Sequence, residues 1–364
     1  MIFNTYAEKM IHFIWFGKII SDERIAYINS IRSVNTDYKV YLWISKNQLK
    51  QDNLDSLIPS IEKKLINVTL KLIEDLEINY SEIGEDFIYD KAIRYIYSEI
   101  ATNTYFLIAG FDDKGQKVEK KQSCRNYASG ADIARFLILY IYGGIYSDVD
   151  NEFKKRLGSI KIKDKYTKMI MDGARKKQTN KIYTLNNNFI ATIKNNEFFL
   201  EGLKLICFFY DQIFKRNFLS NINSQFTFSE QEFKIYNLNV INTYSQISKF
   251  VILNIKYATL MNKRDMQPYR NPITCSISGP YFFKTLVALF IATKNPQKNY
   301  NTNTAADINS LYENDNYFYN NLVIDSSYVI HNYEHSWLES ASQTPFESVN
   351  TRSYNGLQIF PKKN

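Results

Sequence analysis

Apolar positions near the start of the chain fall into two runs of strand length, and a segment with helical spacing lies between them. The run MIHFIWFG predicts a buried strand, and KVYLWIS predicts a second strand at 39–45. Ser21 and Asp22 can cap the helix that the pattern predicts over 23–34. The order strand, helix, strand with short connections indicates a βαβ unit and therefore a parallel sheet.

The segment SGADIARFLILYIYGGIYSDVD carries the most informative pattern in the chain. Ser129 and Asp132 have the spacing of a capping box at a helix start. Gly143 and Gly144 are expected to end this helix, because glycine adopts the left-handed conformation without strain. A strand over 145–149 should follow, with two aspartates at its end.

Other segments give coarser predictions. Residues 47–99 have mostly helical spacing, and the polar stretch 106–122 predicts a loop or a hairpin. Residues 296–321 are polar and rich in Asn and Tyr, which predicts a long surface loop. The apolar segments NEFFLEGLKLICFFYDQIF and YFFKTLVALFIAT predict two more helices, and shorter runs such as NNNFIATIK predict further strands.

Composition narrows the class of protein. The chain has 364 residues, of which 45% are hydrophobic, so it can bury a large core. It contains no run of about 18 apolar residues, so no membrane span is expected. The cysteines are scattered singly, which indicates synthesis in a reducing compartment such as the bacterial cytoplasm. Glu8 and Lys9 interrupt the first apolar run, so a secretory signal is not expected.

The net charge of +8 comes from short basic clusters that are spread along the chain. A basic surface favours anionic partners, which include nucleic acid, anionic lipid and small anions. No nucleic-acid recognition motif accompanies the charge, so a nucleic-acid partner is not expected. Peripheral contact with a membrane surface is compatible with it.

Two aspartates at the end of the predicted strand are the first candidates for chemistry. Asp148 and Asp150 are two apart, so on a strand both carboxylates point to the same side. Ligands of open α/β sheets bind beyond the carboxyl ends of the strands. Two hard oxygen ligands suit Mg²⁺ or Mn²⁺, which also bind phosphate oxygens and neutralise a diphosphate leaving group. An isolated D-x-D is also common at solvated strand ends, but the preceding GGIY favours the functional interpretation.

Three residues upstream of the D-x-D are candidates for binding. Asp132 and Arg135 share a helix face. Asp132 can both cap the helix and accept hydrogen bonds from sugar hydroxyls, while the fork of donors on Arg135 suits a sugar or a phosphate. Trp15, which follows the first strand, is either a core residue or a surface on which a uracil base stacks.

The segment HNYEHSW near the C-terminus contains His331, His335, Ser336 and Trp337. It lacks the pattern H-E-x-x-H, and the remaining histidine is His12, so a zinc protease is not expected. Two interpretations remain. The segment is a packed aromatic loop, or it is a lid that closes over a metal and a diphosphate.

Several segments together resemble the glycosyltransferase domains of the large clostridial glucosylating toxins and related bacterial effectors, a group with a GT-A fold and a D-x-D motif. The matching segments are IHFIWFG, VNTDYKVYLWIS, SGADIARFLILYIYGGIYSDVD, NNNFIATIKNN, SISGP and EHSW. The resemblance implies an α/β, Rossmann-like GT-A core with a mostly parallel sheet and additional helices. It implies a single domain over 1–340, with a helical insertion at 47–99 and a polar loop at 296–321, followed by a tail at 341–364.

The resemblance also implies roles for individual residues, among which Asp132, Arg135, Asp148 and Asp150 would be catalytic. On the nucleotide side, Trp15, with Ile14 beside it, would contact the uracil, and Tyr146 would contact the ribose. On the sugar side, Asp132 and Arg135 would bind the donor sugar, Asp148 would contact both ribose and sugar, and Asn186 would lie near the sugar. Ser336 and Trp337 would contact the β-phosphate. The implied ion is Mn²⁺ or Mg²⁺, and its candidate ligands are Asp150, Asp148, Ser336 and His335.

Two details depart from the family pattern. Ser147 stands where the family has a bulky residue. Ser336 and Trp337 are adjacent, whereas the toxins separate the corresponding residues by one position. The second detail is closer to related transferases that build surface glycans.

The implied activity is transfer of a sugar of the glucose or N-acetylglucosamine type from a UDP-sugar to an acceptor hydroxyl, with a metal and with retention of the anomeric configuration. The acceptor would be a Ser, Thr or Tyr hydroxyl of a host protein, which an effector secreted into the host cell would modify. Two alternatives stay open: synthesis of lipopolysaccharide or capsule, and a non-catalytic sugar-binding module.

Overall fold

The computed structural model describes residues 5–16, 20–46, 57–76, 86–100, 105–111, 117–123, 127–175, 182–216, 231, 234–240, 277–302, 305–314, 321–324 and 329–331. In chain order, the strands are β1 (Thr5–Tyr6), β2 (Met10–Ile14), β3 (Lys39–Ile44), β4 (Thr69–Leu72), β5 (Tyr105–Phe111), β6 (Lys117–Ser123), β7 (Gly144–Ser147), β8 (Asn151–Phe153), β9 (Lys161–Ile162), β10 (Met169–Arg175), β11 (Ile182–Thr192) and β12 (Val329–His331). The helices are α1 (Asp22–Val34), α2 (Leu57–Lys64), α3 (Asp86–Ile100), α4 (Tyr127–Tyr142), α5 (Glu197–Arg216), α6 (Pro280–Lys294) and α7 (Ala305–Asn314), with short 3₁₀ turns at Ile73–Asp75 and Pro296–Lys298.

A mixed six-stranded sheet in the order β10-β11-β7-β2-β3-β4 forms the frame of the molecule. The strands β7, β2, β3 and β4 run parallel, and β11 and β10 join them in antiparallel pairs. Three of the five neighbouring pairs are parallel, so the predicted mostly parallel sheet is confirmed. The unit β2–α1–β3 is the predicted βαβ unit, and the Ser21 side chain caps α1 as expected.

Three two-stranded pairs lie outside this sheet: β1–β9, β5–β6 and β12–β8. The antiparallel pair β5–β6 confirms the hairpin that the sequence offered as one of two predictions for this stretch. The pair β12–β8 sets His331 opposite Asn151, which directly follows the D-x-D. The C-terminal strand therefore lies beside the candidate metal-binding turn.

Buried apolar residues form two clusters, one on each face of the sheet. On one face, α3, α4, α5 and α6 pack together, with Phe136, Phe198 and Phe283 among the fully buried side chains. On the other face, α1 covers Phe13 and Ile145, which are fully buried. Burial on both faces explains why β2 and β7 have nearly continuous apolar sequences. Within the ranges given above, none of the helices has the length and apolar character that crossing a membrane requires.

Two predicted segments contain elements that the sequence pattern did not indicate. Within 47–99, the sequence TLKL forms the strand β4 at the edge of the sheet, although helices α2 and α3 lie on either side of it. Within 296–321, α7 forms because Ile308 and Tyr312, which are four residues apart, are buried against the core. A short half-exposed strand and a polar helix both give weak periodic signals in the sequence. Their secondary structure therefore depends on tertiary packing, which the sequence pattern does not report.

Candidate active site

The two aspartates of the D-x-D lie in a turn and not on a strand. The strand β7 ends at Ser147, and the backbone N–H of Asn151 donates to the carbonyl of Asp148 across the turn at 3.2 Å. The prediction that strand alternation aims both carboxylates to one side is therefore wrong. The carboxylates still lie at the carboxyl end of a parallel strand, with Asp150 only 4% exposed.

Gly143 and Gly144 fix where this strand begins. Both have positive φ values, 64° and 79°, and the N–H of Gly143 donates to the carbonyl of Leu139 at 3.0 Å, as in a helix C-terminus. The predicted helix stop is confirmed. A β-carbon on Gly144 would lie 2.7 Å from the carbonyl oxygen of Met10, so glycine also allows β7 to pack against β2.

The strand register brings the candidate nucleotide-binding residues to the same edge as the D-x-D. The parallel pair β2–β7 aligns His12 with Tyr146, and continuing this register places Ile14 level with Asp148. Trp15 follows, and its backbone N–H donates to the carbonyl of Trp43 at 2.9 Å. The carboxyl ends of β2, β3 and β7 thus meet at one edge of the sheet.

Arg135 is the centre of a buried ionic cluster at this edge. Its Nη1 lies 3.1 Å from Asp132 Oδ1, and its Nη2 donates to Tyr146 Oη at 3.0 Å and to Asp148 Oδ1 at 3.4 Å. The guanidinium carbon lies 4.1 Å from the centre of the Tyr146 ring. Tyr146 Oη in turn donates to Asp148 Oδ1 at 2.5 Å. The guanidinium of Arg135 is therefore held between two carboxylates, that of Asp132 on the same face of α4 and that of Asp148 just after the end of β7.

Burial shapes the electrostatics of this cluster. Desolvation raises the pKa of Asp132 to about 7, and the charge of Asp148 adds to this effect, while Arg135 and Ser278 oppose it. Desolvation also raises the pKa of the Tyr146 hydroxyl well above its ordinary value. Burial acts against the charge of Arg135, but Tyr146 and the two carboxylates outweigh it and raise its pKa. Tyr146 therefore stays neutral and Arg135 stays charged.

The three adjacent asparagines of β11 have different surroundings. Asn186 Nδ2 donates to Asp172 Oδ2 at 2.9 Å, within the pair β10–β11. Asn187 Nδ2 donates to Asp132 Oδ1 at 3.5 Å and is 7% exposed. The side chain beside Asp132 is therefore that of Asn187, whereas the sequence had singled out Asn186. Neighbouring residues on a strand point to opposite faces, so a shift of one residue changes the face.

Asn188 also lies at the site, and the sequence pattern did not single it out. Its carbonyl accepts the N–H of Asp148 at 2.8 Å and Asn151 Nδ2 at 2.9 Å, which anchors the D-x-D turn to β11. Its side-chain Oδ1 is buried without a hydrogen-bond partner among the described residues. The run of three asparagines was a signal for this site, but the register was needed to assign the positions.

Comparison with known proteins agrees with this geometry. Residues 21–169 match the family described as "Glycosyltransferase sugar-binding region containing DXD motif". The match contains α1, the ionic cluster around Arg135 and the D-x-D turn. This segment is similar to the sugar-binding regions of DXD glycosyltransferases.

Part of the chain is also similar in sequence to toxins. Over 111 residues, or 29% of its length, the chain is 32% identical to Cytotoxin-L of Paraclostridium sordellii. Over 197 residues, or 40% of this chain, it is 27% identical to Toxin B of Clostridioides difficile. The matched stretches make up only 5% and 8% of the lengths of those two toxins. The chain is thus similar to a small part of much longer proteins, as the resemblance in its motifs implied.

Solved structures extend the similarity beyond the sugar-binding region. The UDP-bound glycosyltransferase domain from the YGT toxin superposes with a TM-score of 0.51 and 13% identity, covering 80% of this chain and 79% of that domain. Its ligand-free form superposes with a TM-score of 0.52. The fold is therefore the GT-A fold of toxin glycosyltransferase domains, which confirms the predicted fold class.

Trp15 packs against the cluster of buried residues on the α1 face of the sheet, whereas Arg135 belongs to α4, which packs on the opposite face. The guanidinium carbon of Arg24 lies 5.0 Å from the centre of its indole ring, and Arg24 is 7% exposed on α1. The indole is partly buried, and its Nε1 is buried without a hydrogen-bond partner in the described ranges. The Arg24–Trp15 stack was not predicted, because it depends on how α1 packs against β2.

The C-terminal candidates can be placed only in part. His335, Ser336 and Trp337 lie outside the described residues. The backbone of His331 is described, and it pairs with Asn151 next to Asp150. The HNYEHSW segment therefore begins beside the D-x-D turn, whichever of the two interpretations applies to it.

The donor set fits a hard divalent cation only in part. Asp148 and Asp150 are oxygen ligands of the type that Mg²⁺ and Mn²⁺ bind. One oxygen of Asp148 already accepts from Tyr146 and Arg135, which leaves Asp150 as the candidate direct ligand. No group of three or more His, Cys, Asp or Glu side chains that could hold a metal occurs in the ranges that the structure describes. An ion here would therefore need phosphate oxygens or further groups to complete its coordination.

Proposed function

We propose that the chain transfers a sugar of the glucose or N-acetylglucosamine type from a UDP-sugar to an acceptor hydroxyl. The observation that carries this proposal is the buried cluster in which Arg135 lies between Asp132 and Asp148, next to the D-x-D turn. Such a cluster presents both a fork of donors and acceptor oxygens at one sheet edge, and a sugar diphosphate needs both.

The donor would lie along the edge formed by β2 and β7. Trp15 offers an aromatic face for the uracil, and Ile14 is the last residue of β2, the strand that pairs with β7. Asp148, whose side chain is 32% exposed, would accept from the ribose and the sugar. Asp132 and Asn187 would face the sugar hydroxyls, where Asp132 is an acceptor and Asn187 offers both donors and an acceptor.

Asp150 would hold the cation directly, with Asp148 beside it. When bound, Mn²⁺ or Mg²⁺ would bind the two phosphates and neutralise the charge that develops on the UDP leaving group. Ser336 and His335 would complete the site, and Trp337 would contact the β-phosphate. The pairing of His331 with Asn151 supports this role, because it ties the start of that segment to the D-x-D turn.

We propose a front-face displacement that retains the anomeric configuration. The bond between the anomeric carbon and the β-phosphate oxygen breaks, and the acceptor oxygen forms its bond from the same face. The acceptor proton passes to the leaving phosphate oxygen, so no covalent protein intermediate is required. Arg135 would contribute fixed donors that orient the donor sugar and oppose the charge that develops, while the neutral hydroxyl of Tyr146 holds Arg135 and Asp148 in place.

The acceptor would be a Ser, Thr or Tyr hydroxyl of a host protein, modified after the chain enters the host cell as an effector. This proposal is supported by the names of the similar proteins, Cytotoxin-L and Toxin B. The net charge of +8 is compatible with peripheral contact at an anionic membrane surface.

The test is a panel of UDP-sugars assayed for donor hydrolysis with Mn²⁺, with Mg²⁺ and with EDTA. We expect hydrolysis of one UDP-sugar that requires a divalent ion and is lost in Asp150→Asn. Labelled sugar should then transfer to a protein in host-cell lysate. Transfer to a lipid-linked glycan instead would favour surface-glycan synthesis, and sugar binding without any turnover would favour a non-catalytic module.

A further inference from the structure

A series of buried hydroxyl groups leads from Asp132 into the protein interior. Ser278 Oγ donates to Asp132 Oδ2 at 3.5 Å, and Ser129 Oγ lies 3.3 Å from Ser278 Oγ. The hydroxyl of Ser129 also contacts the hydroxyl of Tyr210. Ser278, Ser129 and Tyr210 are 0%, 1% and 2% exposed, so water does not replace these contacts.

The bond to Asp132 fixes one direction in the series. Ser278 donates to Asp132, and when this carboxylate is ionised it can only accept. The oxygen of Ser278 can then accept from Ser129 and that of Ser129 from Tyr210, an order that the two hydroxyl–hydroxyl contacts permit. In that order each donation polarises the next hydroxyl, so the last bond, to Asp132, is strengthened.

Three elements meet in this series. Ser129 and Asp132 are one turn apart on α4, Tyr210 lies on α5, and Ser278 precedes α6. The ring of Tyr210 packs against that of Tyr95 on α3 with a centroid distance of 4.9 Å, which restricts its movement. The series therefore depends on the packing of four helices and not on a single loop.

The two oxygens of Asp132 have different partners. Oδ1 faces Arg135 at 3.1 Å and Asn187 at 3.5 Å, whereas Oδ2 accepts from Ser278. A carboxylate held at one oxygen can rotate about its terminal torsion, which is broad. A donor at the second oxygen fixes the plane of the carboxylate and therefore the direction of its remaining lone pairs.

We propose that Ser278, Ser129 and Tyr210 are positioning residues that orient Asp132 toward the donor sugar. This inference rests on the proposed function, in which Asp132 binds sugar hydroxyls and the nucleotide binds elsewhere along the sheet edge. Their loss should therefore weaken binding of the sugar part of the donor and leave binding of the UDP part unchanged.

Calorimetry with UDP and with UDP-sugars distinguishes binding of the UDP part of the donor from binding of its sugar part. The probes are UDP, UDP-glucose and UDP-N-acetylglucosamine, each with Mn²⁺, and the wild type identifies which sugar nucleotide binds more tightly. In Ser278→Ala, we expect Kd for that sugar nucleotide to rise about tenfold, because a buried hydrogen bond to the Asp132 carboxylate is lost. In Tyr210→Phe, we expect a smaller rise of at least about threefold, because the lost hydrogen bond is to the neutral hydroxyl of Ser129. Kd for UDP should stay within about twofold of the wild-type value. Unchanged binding of UDP would also show that the variant is folded.

Two variants complete the design. Ser278→Thr keeps the hydroxyl, so it should restore at least part of the lost affinity for the sugar nucleotide. Tyr312→Phe removes another buried tyrosine hydroxyl, which donates to the carbonyl of Lys284 at 2.6 Å, and should leave both affinities unchanged.

The inference and the proposed function fail in different ways. If the wild type prefers a sugar nucleotide to UDP but Ser278→Ala and Tyr210→Phe keep that preference, the positioning role is wrong and the proposed function stands. Equal losses for UDP and the sugar nucleotide would also contradict the positioning role, because they indicate a general structural effect. If the wild type binds none of the three probes, the proposed function is wrong and the inference with it.

Discussion

The guanidinium of Arg135 lies on the ring of Tyr146 and also donates to the hydroxyl of the same residue, at 4.1 Å and 3.0 Å respectively. The hydrogen bond to the hydroxyl uses Nη2, and this leaves Nη1 to face Asp132 at 3.1 Å. A planar, forked cation is therefore required at this position, because a point charge cannot contact Asp132, Tyr146 and Asp148 together.

The variant Arg135→Lys should lose donor turnover although it keeps the positive charge. A lysine ammonium cannot hold Asp132 with one nitrogen and the Tyr146–Asp148 pair with another. The expected decrease in kcat/KM for hydrolysis of the UDP-sugar is about 100-fold, or ~2.7 kcal/mol. Arg32→Lys is the matched control. Arg32 lies on α1 and donates to the carbonyl of Tyr38 at 2.6 Å, so it has no contact with the cluster around Arg135 among the described residues. Equal activity in both variants would contradict the role of the fork.

The variant Asp150→Asn should abolish the stimulation of hydrolysis by Mn²⁺ or Mg²⁺. An amide is a weaker ligand for a hard cation than a carboxylate, and this carboxylate is nearly fully buried at the end of β7. The measurement is the hydrolysis rate across a titration of the metal. Asp172→Asn is the control, because Asp172 accepts from Asn186 away from the cluster. Retention of full metal dependence in Asp150→Asn would remove Asp150 from the ligand set.

The variant Arg24→Met should weaken binding of UDP and of UDP-sugars by the same factor. Methionine keeps part of the apolar stem but removes the cation that lies 5.0 Å from the Trp15 ring. The contact is lost from the free and the bound protein alike, so its effect on binding comes through the orientation of Trp15, which Arg24 holds from one side. We expect a two- to fivefold increase in Kd for both ligands, or about 0.5–1 kcal/mol. A selective effect on the UDP-sugar alone would show that the indole does not contact the base.

Asp132 should make the stability of the metal-free protein fall as pH rises. Its pKa in the folded protein is raised to about 7 by burial, so it keeps a proton that the unfolded chain releases near its ordinary value of 3.8. Between about pH 4 and pH 7 the folded state binds more protons, so the free energy of unfolding decreases with increasing pH. Denaturant titrations in EDTA should show that Asp132→Asn has a flatter dependence over this range. An identical slope in both proteins would contradict the raised pKa.

Local signals in the sequence predicted much of the framework of the fold. The cap at Ser21, the left-handed pair Gly143 and Gly144, and the βαβ unit were each encoded by neighbouring residues, and each is confirmed. In contrast, β4 was missed, because a four-residue edge strand between helices has little pattern of its own. Its pairing with β3 is a tertiary contact that no local period reports.

The sequence indicated which residues lie together at the candidate site better than how they are arranged there. The sequence indicated Asp132, Arg135 and the D-x-D, but it placed the aspartates on a strand, whereas they lie in a turn. The contact of Asp132 with Ser278 joins positions 146 residues apart, so only the packing of the helices reveals it. For the same reason, the choice among the three asparagines of β11 needed the observed register.

The pairing of β12 with β8 has a mechanical consequence for the end of the chain. Because His331 is fixed opposite Asn151, Trp337 is only six residues beyond this anchor, and a fully extended chain of six residues reaches no more than about 22 Å. In the proposed function Trp337 contacts the β-phosphate, and so short a tether would then limit how far this residue can move from the donor. Substitutions that loosen three residues of antiparallel strand should therefore weaken donor retention, although none of those backbone atoms needs to touch the donor.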